Sequence, residues 1–392
     1  MRIGLRAAAI AIALALAPNA ADALTAYPPQ PNGAAWPTLE WSYGPAIGAD
    51  IEAIAEDVDK ATRNRDPKFG ETRAVIIVQN GRIVLEKYAP GFSATTRLVS
   101  WSMAKSITQA AVGVAAAQGK LDPNAAMGEW LWPKSDPRAA ITWRQWLNMV
   151  DGLKYLEIDA PSVAESDAAK QLYGPGRLDV ARYCAGLKLA SAPGTRWNYN
   201  TCGINLVGAS LARVISPGPD AAARRAATAE WLGAALFGPI GMTSAQPEFD
   251  ETGSFLGGSL VYATAQDFAR FGLLYLRGGR WDDKQIVPRG WVDFARTPTP
   301  ATNIDSYGAG WWLTPAKGEG APYRSLIVGG PVDAFSAQGH EGQVILVVPS
   351  KDLVIVRLGR FDDRRGAWDA LGDWLGAIAR KFPDAAPARP AR

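Results

Sequence analysis

The chain has 392 residues, 48% apolar and 20% charged, with 41 basic and 38 acidic side chains. That length and composition permit a large core in one big domain or two closely packed ones. The near balance of charge, with no basic block, points away from nucleic acid.

A single histidine and two cysteines cannot furnish the three or four nitrogen and sulfur ligands of a usual zinc site, although an all-oxygen site stays open. No P-loop or dinucleotide-binding glycine motif follows a strand. No metal or cofactor is expected.

Residues 1–23 carry Arg2 and Arg6, an apolar run from Ala7 to Ala17 and the triplet Ala21-Asp22-Ala23, the order of a secretory signal cleaved after Ala23. The run is far short of the roughly 20 residues of a bilayer span. The expectation is an exported protein, periplasmic or secreted, with no stable membrane anchor. Residues 24–45, rich in Pro, Ala and Gly, read as an extended leader over the surface.

A helix is expected over Asp50 to Ala61. Residues 74–88 give two β-rich runs around Asn80-Gly81, a dipeptide suited to a type I′ hairpin. Ser102 to Gln118 is apolar on nearly every face and closed by Gly119, which predicts a buried helix. From Leu121 to about Pro247 the text is helical in stretches such as ITWRQWLNMV and GINLVGASLARVI. A second hairpin is expected over 343–359 around Pro349-Ser350-Lys351-Asp352, then a helix from Ala367 to about Lys381.

Hairpins at both ends of the chain predict an α/β (α+β) fold: one antiparallel sheet built from both termini, flanked by helices, with a mainly helical insertion. The expected units are a discontinuous α/β domain, 46–120 with 250–382, a helical domain, 121–249, and a disordered tail, 383–392. Whether Cys184 and Cys202 meet is left open, since export permits one disulfide and two buried thiols serve equally well.

In Trp101-Ser102-Met103-Ala104-Lys105, serine and lysine at i and i+3 share a helix face. Ser102 could simply cap the helix. Alternatively, Lys105 could act as a base, if burial lowers its pKa from about 10.4 toward neutrality, and no histidine would be needed. Farther on come Pro193-Gly194-Thr195 with Tyr199-Asn200, then Gly339-His340-Glu341-Gly342 leading into a strand at Gln343. Gly208-Ala209-Ser210-Leu211-Ala212 lacks the last glycine of a nucleophile elbow and lies inside a helical run. A Ser-His-Asp hydrolase is therefore discounted.

On those three motifs, in that order, and on flanking text such as GGSLVYATAQDFARFGLLYLRGG and YGAGWWL, the chain resembles the penicillin-recognising serine hydrolases from about residue 45 to 380. The branch is the class C β-lactamase-like one, with its esterases and 6-aminohexanoate-dimer hydrolases. The resemblance implies a serine β-lactamase-like fold, Ser102 as acylated nucleophile, Lys105 as base and Tyr199 as proton relay. It implies an oxyanion hole from the backbone N–H groups of Ser102 and Gln343. Asn200, His340, Glu341, Gly342 and Trp311 become substrate-contact candidates, with Trp312 beside them, and residues 159–174 a candidate cover.

Two departures bear on substrate. Asn200 stands one position earlier than the family's Tyr-x-Asn places it, and His340-Glu341-Gly342 stands where Lys-Thr-Gly is common. A β-lactam carboxylate would lose its cationic partner and meet Glu341. The leading expectation is hydrolysis of a small-molecule ester or amide, ahead of a true β-lactamase or D-alanyl peptidase, and ahead of a non-catalytic binding protein on the same fold.

Overall fold

The computed structural model describes residues 24–158, 160–301, 303–314, 326, 327, 330–361 and 366–385. The signal expected over 1–23 and most of the tail expected over 383–392 lie outside the described residues.

Strands β1 (Glu71–Gln79) and β2 (Arg82–Tyr88) form the first hairpin. Asn80 and Gly81 both take positive φ, 51° and 70°, the two left-handed positions of a type I′ turn, whose twist matches the strands. Late in the chain come β3 (Trp312–Leu313), β4 (Phe335–Gly339), β5 (Gln343–Val348) and β6 (Leu353–Arg360). The sheet order is β2-β1-β6-β5-β4-β3, antiparallel throughout. β1 and β6 are therefore neighbours although they come from opposite ends of the chain. That is the antiparallel sheet expected from the two hairpins.

Side chains alternate between the faces of a strand, and here both faces are covered. Val75, Ile77, Val344, Leu346, Val348 and Ile355 join a cluster with helices α1 (Ile51–Arg63) and α6 (Ala367–Arg380). Ala74, Ile76, Val78, Ile345, Val347, Val354 and Val356 join the larger core, which runs into the helical region. Burial on both faces is why residues 344–348 of β5 and 353–356 of β6 read as unbroken apolar runs.

The helix α2 (Ala104–Ala117), with every residue from Ala104 to Ala115 buried, packs on α4 (Thr201–Ile215), which packs in turn on α3 (Val180–Ala185), while α5 (Ala265–Leu276) lies directly on β1, β5 and β6. Cys184 and Cys202 are disulfide-bonded with Cα atoms 5.4 Å apart, tying α3 to the first turn of α4. Of the leader, Trp41 is buried, and the Tyr27 hydroxyl donates to Asp293 at 2.6 Å. Among the described residues no helix is long and apolar enough to cross a membrane.

Candidate active site

Ser102 lies in a 3-10 turn, Trp101–Met103, that runs into α2. The turn is held from both sides. Ser100 Oγ accepts from the Val261 N–H at 3.0 Å and donates to the Trp101 carbonyl at 2.9 Å, while Trp101 takes φ of 45°. Left-handed backbone on a bulky residue is costly and persists only where its surroundings fix it. Here it sits one residue before Ser102, whose Oγ is hydrogen-bonded to Lys105 Nζ.

Lys105, one turn on and 1% exposed, points its Nζ at three oxygens: Ser102 Oγ at 2.9 Å, Thr201 Oγ1 at 2.7 Å and the Gly258 carbonyl at 2.7 Å. Burial pushes its pKa down to about 8, against the opposing pull of the Glu157 carboxylate. An amine in such a place is neutral in an appreciable fraction of molecules near neutral pH.

Tyr199 is buried with its ring 4.8 Å from Lys105 Nζ, measured to the centroid. Burial, and then the Glu157 charge, raise its phenol well above the usual tyrosine value, opposed by its hydrogen bond with Ser102. It is therefore a neutral hydroxyl at ordinary pH. The Ser102, Lys105 and Tyr199 side chains thus meet at one point, two from the start of α2 and one from the segment just before α4.

Other candidates are placed elsewhere. Asn200 is fully buried and caps α4. Its Oδ1 accepts from the Gly203 N–H at 3.0 Å and its Nδ2 donates to Asp151 at 2.9 Å. It builds the tyrosine's segment rather than meeting a substrate. Trp311 is likewise corrected to core: it is fully buried against Phe271, Tyr275 and Phe335. Adjacent residues in extended chain point opposite ways, so the half-buried Trp312 is the one that stacks on Tyr199.

His340, Glu341 and Gly342 form a short turn between β4 and β5, with Glu341 at φ 61°. The His340 ring meets Trp101 edge-on at 5.3 Å, and Glu341 pairs with Arg360 at 3.7 Å. That partner offsets part of the negative charge expected to repel carboxylates. The fully buried Arg357 fixes the turn from below, donating to the carbonyls of Glu341 at 3.1 Å and Gly342 at 2.9 Å.

The Gln343 side chain turns into the sheet, bonding both the N–H and the carbonyl of Gly359 at 2.9 and 2.7 Å. The residue pressed on the Ser102 turn is Gly339, where a Cβ would fall 2.2 Å from the Ser100 carbonyl oxygen and 3.1 Å from Trp101 Cβ. β4 thus borders the site. Tyr173, from the 159–174 segment, lies near enough to Glu341 and Tyr262 to sense their charge.

Two residues absent from the sequence reading complete the cluster. Thr201 Oγ1, which accepts from Lys105, donates to Glu157 Oε1 at 2.8 Å, and the Thr201 N–H donates to Glu157 Oε2 at 3.1 Å. Thr201 occupies the third position counted from Tyr199, where a hydroxyl could have been sought in place of an amide. Glu157 is 44 residues away in the chain, with no motif to mark it. Among the described residues no group of three or more His, Cys, Asp and Glu could hold a metal ion.

The Beta-lactamase family profile matches residues 71–367. A protein assigned as a 6-aminohexanoate-dimer hydrolase from Bacillus anthracis superposes with a TM-score of 0.66 at 21% identity, over 88% of this chain and 89% of that one. A beta-lactamase from Mycobacterium bovis gives 0.56 at 18%, over 80% and 96%. A family VIII carboxylesterase gives 0.55 at 15%, over 85% and 98%. No curated protein sequence matches the chain. At these identities the structures speak for a shared fold, and the profile, spanning most of the chain, speaks for descent: the protein belongs to the beta-lactamase family, a family of serine hydrolases.

Proposed function

We propose that the protein hydrolyses a small ester or amide through an acyl-enzyme on Ser102, and does so outside the cytoplasm. The observation that carries this is the buried Lys105 amine 2.9 Å from Ser102 Oγ, with a pKa brought down to about 8. Neutral Lys105 takes the Ser102 proton as Oγ adds to the substrate carbonyl. Tyr199, a neutral hydroxyl beside both groups, gives its proton to the leaving alcohol or amine and is reprotonated by the Lys105 ammonium, which becomes neutral again. Water then attacks the acyl-enzyme with the roles reversed, releasing the acid and regenerating Ser102.

The developing oxyanion needs two aligned donors. The Ser102 N–H is one. For the second, the close packing of Gly339 on the nucleophile's turn favours the adjoining His340 N–H over the Gln343 N–H expected from the family. The disulfide supports export, because such bonds persist in oxidising compartments.

A β-lactamase or D-alanyl peptidase is the second reading. It is disfavoured because the strand bordering the site offers Ala337-Gln338-Gly339 and no cation to receive a substrate carboxylate. A panel of neutral p-nitrophenyl esters and amides, run beside nitrocefin and benzylpenicillin, tests the choice. Ester turnover far above nitrocefin turnover supports the proposal, and the reverse order overturns it. A protein with intact folding, no turnover and no fluorophosphonate labelling would instead be a binding protein.

A further inference from the structure

The Thr201 hydroxyl has one hydrogen and two partners. A carboxylate only accepts, so that hydrogen goes to Glu157 Oε1, 2.8 Å away, and Thr201 presents a lone pair to Lys105 Nζ at 2.7 Å. The Gly258 carbonyl, also 2.7 Å from Nζ, can only accept. A neutral lysine amine carries two hydrogens and one lone pair. With both hydrogens committed to Thr201 and Gly258, the lone pair is left pointing to the third neighbour, Ser102 Oγ.

We infer that Glu157 is a positioning residue: by holding the Thr201 hydroxyl as an acceptor toward Lys105, it aims the lone pair of the neutral amine at Ser102. This rests on the reading of Ser102 as nucleophile and Lys105 as base. Without Glu157, the Thr201 hydroxyl could rotate and donate into that same lone pair, leaving Ser102 without its base. The carboxylate also grips the Thr201 N–H at 3.1 Å, which fixes the first turn of α4 beside Tyr199.

The arrangement carries a cost. The Glu157 charge favours the ammonium form of Lys105 while burial disfavours it. Orientation and charge therefore pull in opposite directions, and substitutions can separate them. Lys105 faces Ser102, Thr201, Tyr199 and Gly258. Glu157 is sensed in turn by Tyr155 and Tyr307, and Asp167 also acts on Tyr155.

The test is the pH profile of kcat/KM for a chromogenic ester, measured for wild type, Glu157→Gln, Glu157→Ala, Thr201→Ser and Thr201→Val, each checked for cooperative unfolding. Glu157→Gln keeps an acceptor for the hydroxyl and removes the charge. Its rising limb should move to lower pH, with a plateau reduced far less than that of Glu157→Ala. Glu157→Ala and Thr201→Val should lose about tenfold to a hundredfold on the plateau, the scale of a misaligned reacting group. Thr201→Ser should recover most of the Thr201→Val loss.

A Glu157→Ala plateau equal to wild type, with Ser102→Ala inactive, would overturn this inference alone and leave the nucleophile standing. Should Glu157→Ala not fold, a Glu157→Gln profile with an unmoved limb and a plateau as depressed as that of Thr201→Val overturns it equally. An active Ser102→Ala would overturn the underlying reading, and this inference with it.

Discussion

The indole of Trp312 lies stacked on the ring of Tyr199, with centroids 5.5 Å apart and 22° between the planes. Tyr307 meets the same tyrosine edge-on at 6.1 Å and 86°. Two aromatic contacts therefore fix the plane of the phenol that bonds Ser102. We expect Trp312→Ala to lower kcat/KM by about tenfold or more, through loss of alignment. Tyr199→Phe, which removes the hydroxyl proposed as the relay, should cost about a hundredfold or more. Stopped-flow acylation with a p-nitrophenyl ester checks both, and an unchanged rate in Tyr199→Phe would remove the tyrosine from the mechanism.

An amine can serve as a base only when neutral, and burial brings the Lys105 pKa down to about 8. Activity should therefore rise with pH and level off above about 8, following the deprotonated amine. At pH 7 only about a tenth of the molecules would hold the active form, from the one-unit gap. Lys105→Ala should lose about a thousandfold or more and abolish that limb. A rising limb that persists in Lys105→Ala would belong to another group.

Asp151 is buried with Oδ2 unpartnered among the described residues, and burial raises its pKa from 3.8 to about 6. The folded chain then holds this proton more tightly than the unfolded one. Folding stability falls as pH rises from the unfolded value to the folded one, and the loss is complete above about 6. Asp151→Asn removes the titration, so its stability relative to wild type should improve by on the order of 3 kcal/mol between about pH 4 and pH 7.5. Urea unfolding at both pH values measures it, and a pH-independent difference would contradict the assignment.

The Cys184–Cys202 bond closes a loop of 18 residues and enters α4 next to Thr201. Loop entropy suggests that breaking it costs about 3 kcal/mol. The double variant Cys184→Ser with Cys202→Ser should unfold at lower denaturant concentration and lose activity before it unfolds, because Tyr199 and Thr201 sit beside the bond. Activity tracking the folded fraction throughout would show that the disulfide supports the fold alone.

Much of the scaffold is written locally. Asn80-Gly81 admits a left-handed pair, and Asp50, where the pattern starts the first helix, caps α1 by accepting from the Ala53 N–H at 3.0 Å, with the helix itself beginning one residue later at Ile51. Residues 343–359 form the second hairpin through a turn that Asp352 closes at φ 47°. β4, by contrast, reads Phe-Ser-Ala-Gln-Gly, whose small and polar residues carry little strand preference. It forms because β5 offers it an antiparallel partner. In the sequence Gln343, at the start of β5, therefore reads as the beginning of the strand that borders the site, whereas in the structure Gly339 at the end of β4 packs on the Ser102 turn.

The site divides along similar lines. Ser102 and Lys105 are three residues apart in one helical turn, so their encounter follows from helix geometry. Tyr199 meets them only because α4 packs on α2, and that proximity entered through family resemblance rather than periodicity. Asn200 and Thr201 exchange the roles that their chemistry alone suggests. The amide is spent on capping α4 and on Asp151, while the hydroxyl reaches Lys105. Glu157 joins across 44 residues from a segment without helical or strand pattern, and nothing local distinguishes it from any solvated carboxylate.

The central claim is that Ser102 is the nucleophile, and the most direct measurement is the intact mass of protein treated with a fluorophosphonate, followed by peptide mapping, for wild type and Ser102→Ala. The account expects one adduct per wild-type chain, on the peptide containing Ser102, and none in a cooperatively folded Ser102→Ala protein. An adduct of equal extent in Ser102→Ala, or a wild-type adduct mapped to another residue, would contradict it.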